Sequence, residues 1–490
     1  MQLHPRGFLL ALLLLSIGVC ACSRSDQPQG VATELGKASC GANDLPEGDI
    51  QGQVSRDDRL SGRSKQGYRC NLELVGQYQG EGASWVDPSS DHCAYMATSF
   101  LGIPTKQSQG VQVVDVSDTA HPKLAGTLLS PAMLIGPWES LKVNESRKLL
   151  GAVAGGPLVA AGFFDVYDIS QDCAKPVQLN GIAGTPLELP ADVLGHEGNW
   201  TPDGKTYWSS GLVGGSVTAI DVTNPASPQI IYTGIASFPV NHGAEFSDDG
   251  NRMYLSSIFP AGVLIFDTSD IQSRKPSPTI RQIGSLTWNA QGAGQHAFRV
   301  QYGNKPYLIA ADEFASEAVR IIDISDETAP REVTHIQLEI QLPKNQALRD
   351  LDTAGNGLFG YDAHYCNVDH RINPTALACG FFQSGVRVFD IRNPEKPREI
   401  AYFNPPAQSD VRARLGGSEH AGGIGLAPTI LPTPESLSNY VFNIGQFSDA
   451  NLSADWCSSP PRFVDEQLWV TCQDNGFMVL RFSNGVYPLR

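Results

Sequence analysis

A short segment recurs seven times along the chain, and its period constrains the fold more than any other feature. Each copy has a glycine or another small residue, a run of apolar residues, an acidic residue and a turn. The copies are residues 110–118, 163–171, 215–225, 261–270, 317–326, 384–394 and, in degenerate form, 475–483. This spacing is typical of the blades of a β-propeller or the units of a solenoid.

The aligned acid of each copy has a structural explanation. Runs of Val, Ile and Phe are typical of buried β-strands. An Asp followed by Ser or Thr and then by Asn or Asp favours a turn, because the carboxylate accepts backbone N–H groups two residues on. We therefore interpret these acids as turn caps rather than catalytic groups. They are Asp115, Asp168, Asp221, Asp267, Asp323 and Asp390, with Arg481 in the seventh copy.

Four copies resemble the LVIVD-repeat family of bacterial surface proteins. They read VVDVSDTAHP, AIDVTNPASP, IIDISDETAP and VFDIRNPEKP. The resemblance covers roughly residues 70–490 and implies a β-propeller. It implies almost no biochemistry, because propellers host many functions.

Seven copies predict an all-β protein with a seven-bladed β-propeller over residues 67–490. The seventh copy ends too close to residue 490 to supply an outer strand, whereas residues 71–80 resemble the outer strands of the other blades. We expect this N-terminal strand to complete the last blade, close the ring and remove its open edge. Residues 404–455, rich in Pro, Gly and Ser, are expected to form a long loop insertion between blades six and seven.

The N-terminus predicts export. Residues 1–22 have the apolar run of a signal peptide and end in a sequence that resembles a bacterial lipobox. Lipidation at Cys22 would anchor the protein to a membrane, and Ser23 after it predicts the outer membrane of a Gram-negative cell. Plain secretion stays open as the alternative. Residues 23–66 are then a tether and an N-terminal extension.

The other eight cysteines predict disulfides, since an even count in an exported chain favours them over metal thiolates. We expect Cys366–Cys379 and Cys457–Cys472 across the first hairpins of two blades. Cys70 with Cys93 would fasten the closing strand, which leaves Cys40 for Cys173.

Composition and motifs exclude several classes of function. The net charge of −16 argues against a nucleic-acid partner. The sequence has no P-loop, Rossmann fingerprint, HExxH or nucleophile elbow, so neither a nucleotide enzyme nor a hydrolase has support. We expect a monomer whose partner is the membrane and either a small molecule or an envelope protein.

A ring of polar residues is the strongest chemical signal. Counting four residues back from the apolar residue before each first hairpin reaches one residue per blade. Because the innermost strands of a propeller line its axial channel, one register puts these residues around one ring. The ring is Glu81, Glu139, His196, His242, His296, His364 and Ser459.

Four histidines of the ten in the chain share this register, which favours a metal site. We expect His196, His242, His296 and His364 to bind one ion, with Glu81, Glu139 and Ser459 beside it in the channel. Imidazole suits Fe, Cu, Zn or Ni, and the sequence does not choose among them. Alternatively, blade duplication copied a histidine that only binds water or backbone.

Further residues could serve this site. His420 lies between glycines in the long loop and could act as a lid residue or an extra ligand. Candidates for acid–base chemistry are Glu197, Glu245, Asp312, Glu313 and Asp362.

Two functions of different class follow. The first is a metal-dependent enzyme or metal-binding protein of the cell envelope. Carotenoid-cleaving oxygenases, with four axial histidines on iron, and the selenium-binding/methanethiol oxidase propellers are similar in architecture. The second is a non-catalytic scaffold whose rim loops bind an envelope protein or a glycan.

Overall fold

The protein forms a ring of seven antiparallel sheets, which confirms the predicted seven-bladed propeller. The computed structural model describes residues 35–80, 82–83, 85–97, 110–154, 162–187, 195–211, 214–288, 292–314, 317–353, 360–408 and 454–489. Cys22, Glu81, His420 and most of the 404–455 insertion lie outside these residues.

Blades one to four follow each other along the chain, and the strands of each blade run from the channel outward. Blade one has strands Ser89–Ser90, Cys93–Ala97, Val111–Asp115 and Lys123–Leu128. Blade two has Lys142–Asn144, Leu149–Val153, Gly162–Asp168 and Val177–Gln178, with Thr185–Leu187 also paired to its third strand. Blade three has Gly195–Trp200, Thr206–Gly211, Ser216–Asp221 and Gln229–Ile235. Blade four has Asn241–Phe246, Arg252–Ser257, Gly262–Asp267 and Arg281–Thr287.

Blades five to seven complete the ring. Blade five has strands Gly294–Tyr302, Lys305–Asp312, Val319–Asp323 and Arg331–Ile336. Blade six has Cys366–Val368, Ala376–Gly380, Val386–Asp390 and Arg398–Asn404, with Tyr68–Cys70 added at its outer edge. Blade seven has Arg462–Val464, Gln467–Cys472, Gly476–Phe482 and the N-terminal strand Leu72–Tyr78.

The repeat supplies the third strand of every blade, and its acid caps the turn that follows. The Oδ1 atom of each aligned Asp accepts the backbone N–H two residues on, at 2.8–3.2 Å. This contact confirms the cap interpretation. Second and third strands are buried between neighbouring blades, whereas outer strands such as Gln229–Ile235 are partly exposed.

The N-terminal strand closes the ring as predicted. Leu72–Tyr78 pairs with the third strand of blade seven, from Leu72 opposite Phe482 to Tyr78 opposite Phe477. The residues before it also pack on the propeller. Arg59 is buried and donates a hydrogen bond to Gln383 at 2.8 Å.

Four disulfides join the cysteines, and two of the expected pairs are wrong. Cys366–Cys379 and Cys457–Cys472 form as predicted. Cys70 pairs with Cys40, and Cys93 pairs with Cys173. The reason is that Cys70 lies on the outer edge of blade six, whereas Cys93 lies in the second strand of blade one. Blade seven lies between these two blades in the ring, so Cys70 and Cys93 belong to sheets that are not neighbours.

The helices are short and lie in the N-terminal extension, between blades or, for Ser269–Gln272, within blade four. The α-helices are Arg56–Ser61, Pro131–Ile135, Ser269–Gln272 and Gln346–Thr353, and the 3₁₀ turns are Arg63–Gln66, Glu339–Gln341 and Pro343–Asn345. In the part of the chain that the structure describes, no helix has the length and apolar character needed to cross a membrane.

Candidate metal centre

The inner strands of blades three to five each have a β-bulge close to the residues that the sequence places in the predicted ring. Pairing shifts between Gly195 and Glu197 in blade three, so His196 is the extra residue. A shift between Asn241 and Ala244 in blade four contains His242. A bulge re-aims the side chain of the extra residue. The bulges therefore explain how these two histidines reach the cluster.

The Glu139 carboxylate is the centre of the cluster. It is 1% exposed and stands just before the inner strand of blade two. Its Oε2 atom lies 3.0 Å from His196 Nε2 and 3.2 Å from His242 Nε2. Its Oε1 atom lies 2.8 Å from His364 Nε2. Three predicted ring histidines and one predicted ring glutamate therefore meet, and Glu139 lies among the imidazoles rather than behind them.

Two more carboxylates hold the imidazoles in place. Glu197 Oε2 is 3.0 Å from His242 Nδ1, and Glu313 Oε1 is 3.4 Å from His364 Nε2. Lys142 Nζ lies 3.5 Å from the other oxygen of Glu197. Glu197 and Glu313, expected as acid–base candidates, thus belong to the cluster itself.

The hydrogen bonds at Nδ1 decide what the Nε2 atoms can do. His364 Nδ1 donates to the Ser458 carbonyl at 2.9 Å, and His242 Nδ1 donates to the Glu197 carboxylate. Both partners only accept, so each Nδ1 carries the proton. The Nε2 atom that faces Glu139 then needs either a second proton or a metal ion. Metal-binding histidines donate their other ring N–H in this way.

The electrostatics of the cluster favour positive charge at these nitrogens. Burial alone would raise the pKa of Glu139, but His242 and His364 hold that pKa well below its ordinary value. Burial alone would lower the pKa of His364, but Glu139 and Glu313 raise it to about 9. Burial alone would also lower the pKa of His242, but Glu139 and Glu197 outweigh it and raise that pKa well above its ordinary value.

His296, the fourth expected ligand, lies apart from Glu139. In blade five the pairing shifts between Gly294 and His296, so the extra residue is Gln295. Counted from Val300 in blade five and from Trp200 in blade three, blade five has one more regular pair before its bulge. A count of four therefore reaches the residue next to the bulge. Gln295 takes the place in the cluster, with its Nε2 atom 3.2 Å from Glu139 Oε1.

A cavity of about 370 Å³ lies beside the cluster and includes His296 in its wall. Tyr365 also lines the cavity, and its ring packs on His296 and His364 with centroids 5.0 and 4.7 Å away. Lys142 lines the same cavity. This volume is that of a small-molecule site, and one aromatic ring separates it from the imidazoles.

Aromatic side chains surround the cluster and were not expected from the sequence. Trp138 Nε1 donates to His196 Nε2 at 3.1 Å. The rings of Trp85 and Phe382 lie 5.3 and 5.1 Å from that of His364. Among these aromatic residues, Trp138 could have been noticed in the sequence, because it directly precedes Glu139. Its position becomes informative only when Glu139 is known to be the central carboxylate.

The remaining expected residues lie elsewhere. Ser459 Oγ bonds the backbone of Thr471 within blade seven. Asp312 pairs with Arg320 at 2.5 Å, and Glu245 lines the cavity. Asp362 accepts the backbone N–H of Gly360.

Comparison with known families supports the repeat. The LVIVD repeat family matches residues 106–129. The chain carries an LVIVD repeat. The match contains the first copy and the outer strand Lys123–Leu128 that follows it. No curated protein matches the chain.

Solved structures with likeness to this LVIVD-repeat chain are distant. The periplasmic gluconolactonase of Pseudomonas aeruginosa is 12% identical, with a TM-score of 0.47, over 68% of this chain and 95% of its own. A Lactobacillus plantarum protein is 15% identical, with a TM-score of 0.45, over 64% and 82%. Sqt1 of Saccharomyces cerevisiae is 9% identical, with a TM-score of 0.45, over 81% and 82%. These likenesses carry no inference about activity.

Proposed function

We propose that the protein is an exported metal-binding propeller of the cell envelope. The ligands are Glu139, His242, His364 and His196, whose Nε2 atom must release the hydrogen bond from Trp138 in order to bind the ion. The lipid at Cys22 is the anchor. The observation that carries the proposal is the convergence of three Nε2 atoms on one buried carboxylate, two of them with the other ring nitrogen committed as a donor.

The contact distances fit ligands that share an ion. Two ligand atoms that are each about 2.0–2.2 Å from an ion lie about 3.0 Å apart at a right angle and about 3.4 Å apart at a tetrahedral angle. The nitrogen–oxygen distances at Glu139 are 2.8, 3.0 and 3.2 Å. Imidazole and carboxylate together suit Zn, Fe or Cu. Such an ion supplies Lewis-acid chemistry, or redox chemistry for Fe and Cu.

The surrounding residues support a metal-dependent enzyme that acts on a small molecule. Trp138 and Tyr365 pack on the imidazoles and keep bulk water from them. Lys142 and Tyr365 line the cavity, where they could orient a substrate next to the cluster. An oxidase- or oxygenase-like activity is the form of this proposal that the architectural parallels favour.

Metal analysis tests the proposal. Full-length protein, purified with a tag that contains no histidine, is expected to retain Fe, Cu or Zn, and His364→Ala is expected to retain less metal per chain. His296→Ala is the matched control, because it removes a buried inner-strand histidine that does not contact Glu139. A protein that holds no metal, as purified or after incubation with these ions, would leave the rim-loop scaffold as the function to pursue.

A further inference from the structure

The two oxygens of Glu139 face different sets of side chains. His196 and His242 approach Oε2, at 3.0 and 3.2 Å. His364 approaches Oε1 at 2.8 Å, and Glu313 lies 3.4 Å from the same His364 nitrogen. Within each set the atoms that could hold an ion lie within 4.8 Å of one another. Glu139 therefore belongs to two sets of ligands, one for each oxygen.

A fourth side chain completes the set at Oε1. The Nε2 atom of Gln295 lies 3.2 Å from Glu139 Oε1 and 3.0 Å from His364 Nε2. The Oε1 atom of Gln295 is buried and has no hydrogen-bond partner among the described residues. A half-turn of the terminal amide exchanges the two atoms. It would bring the oxygen, which can bind a cation, to the position beside Glu139 and His364.

The buried charge also accommodates cations. A metal ion takes the place of a proton on each imidazole that binds it. With the imidazoles neutral in this way, Glu139, Glu197 and Glu313 carry three negative charges, and Lys142 beside Glu197 offsets one. Uncompensated buried charge is strongly destabilising. One divalent ion neutralises the remaining two negative charges, and a second ion requires hydroxide or an anionic ligand bound beside it to balance its charge.

We propose that Glu139 bridges two divalent cations. His196 and His242 bind the first, and His364, Glu313 and Gln295 bind the second. Two-metal sites hold their ions about 3.5–4 Å apart and clamp the oxygen atoms of a substrate between them. This inference rests on the proposed metal-binding function and sets its stoichiometry.

Titration of the full-length, metal-free protein with Co²⁺ or Zn²⁺ tests the proposal. Wild type is expected to bind two equivalents per chain. Glu313→Gln is expected to lose the second equivalent and keep the first, whereas His196→Ala should do the reverse. His296→Ala is the control and should keep both.

A second measurement removes the dependence on variants that could fail to fold. Wild-type protein saturated with Mn²⁺ is expected to give the electron paramagnetic resonance spectrum of a spin-coupled pair. One equivalent per chain with an isolated-ion spectrum would overturn the two-cation site and leave the proposed function standing. Binding of no metal would overturn both.

Discussion

The β-bulge falls at a different residue in the inner strands of different blades. Its position decides which side chain of each strand reaches the cluster around Glu139. In blade three the extra residue is His196, and in blade five it is Gln295. Sequence counting from the hairpin treats both strands as regular, so it reaches His296 in blade five. A shift of one residue reverses the face on which a strand side chain lies.

The cap aspartates predict a small and uniform loss of stability when removed. Asp168 accepts the Ser170 N–H at 2.8 Å. We expect Asp168→Ala to lower the free energy of unfolding by about 1 kcal/mol, because the turn loses its acceptor. Asp168→Asn keeps an acceptor oxygen and should lose less than half of that. Urea unfolding measures both, and equal losses would contradict the cap role.

We predict that His335, which lies outside the candidate metal centre, makes the stability of the protein depend on pH. Its Nε2 atom donates to the Glu317 carbonyl, and burial together with Arg320 lowers the pKa of His335 to about 4. Between about pH 6.5 and pH 4 the unfolded chain binds a proton that the folded chain does not. Stability is therefore full above pH 6.5 and falls as the pH drops.

The expected size of the His335 effect is about 2 kcal/mol between pH 7 and pH 5, at about 1.4 kcal/mol per pH unit below 6.5. Urea unfolding of wild type and His335→Gln at both pH values isolates it. The glutamine keeps an N–H donor but does not titrate, so the variant should lose less stability on acidification. Identical losses would show that His335 does not titrate between these states.

Among the strands, closure of the ring depends on one segment that is remote in sequence. Leu72–Tyr78 covers the edge of blade seven, and the preceding Tyr68–Cys70 adds to blade six. The segment thus joins two blades, and the Cys40–Cys70 disulfide holds its start. An uncovered edge would expose unpaired backbone groups.

Deletion of residues 66–80 is expected to open the propeller. The exposed edge of blade seven should make the protein aggregate and melt at a lower temperature, as measured by light scattering and calorimetry. The double variant Cys40→Ser/Cys70→Ser is the control, since it removes the disulfide and keeps the strand. A deleted form that stays monomeric with unchanged melting would contradict the role of the strand.

The whole molecule combines a disulfide-bonded propeller with the sequence signals of export. Disulfides form and persist in oxidising compartments, and the described residues contain four. Cys93–Cys173 joins blades one and two, and Cys40–Cys70 joins the N-terminal segment to the closing strand. These links support an exported protein, while the lipid anchor and the outer membrane remain proposals.

Substitution of Cys22 tests the anchor. Wild type is expected in the membrane fraction with incorporated labelled fatty acid, and Cys22→Ala is expected to be soluble or to keep its signal peptide. Cys20→Ala is the matched control and should stay membrane-bound. If wild type incorporates no labelled fatty acid, the protein is not a lipoprotein.

The fold could be predicted from the sequence because its determinants are local. Each copy contains an apolar run and a turn residue such as Asp168, and both act over a few residues. The same pattern recurs at the spacing of propeller blades. The outer-strand character of residues 71–80 was likewise visible in a single short segment. The hairpin disulfides followed for the same reason, since their cysteines lie 13 and 15 residues apart.

Only the tertiary structure decided the composition of the candidate centre. The sequence placed Glu139, His196, His242 and His364 in one register, but the central position of Glu139 depends on how the inner strands of several blades converge. The bulge in blade five brings Gln295, and not His296, to the cluster. Glu197 and Glu313 become part of the cluster through contacts with histidines of neighbouring blades. The Cys40–Cys70 and Cys93–Cys173 disulfides are non-local for the same reason: strand order across the ring, not sequence distance, sets which cysteines meet.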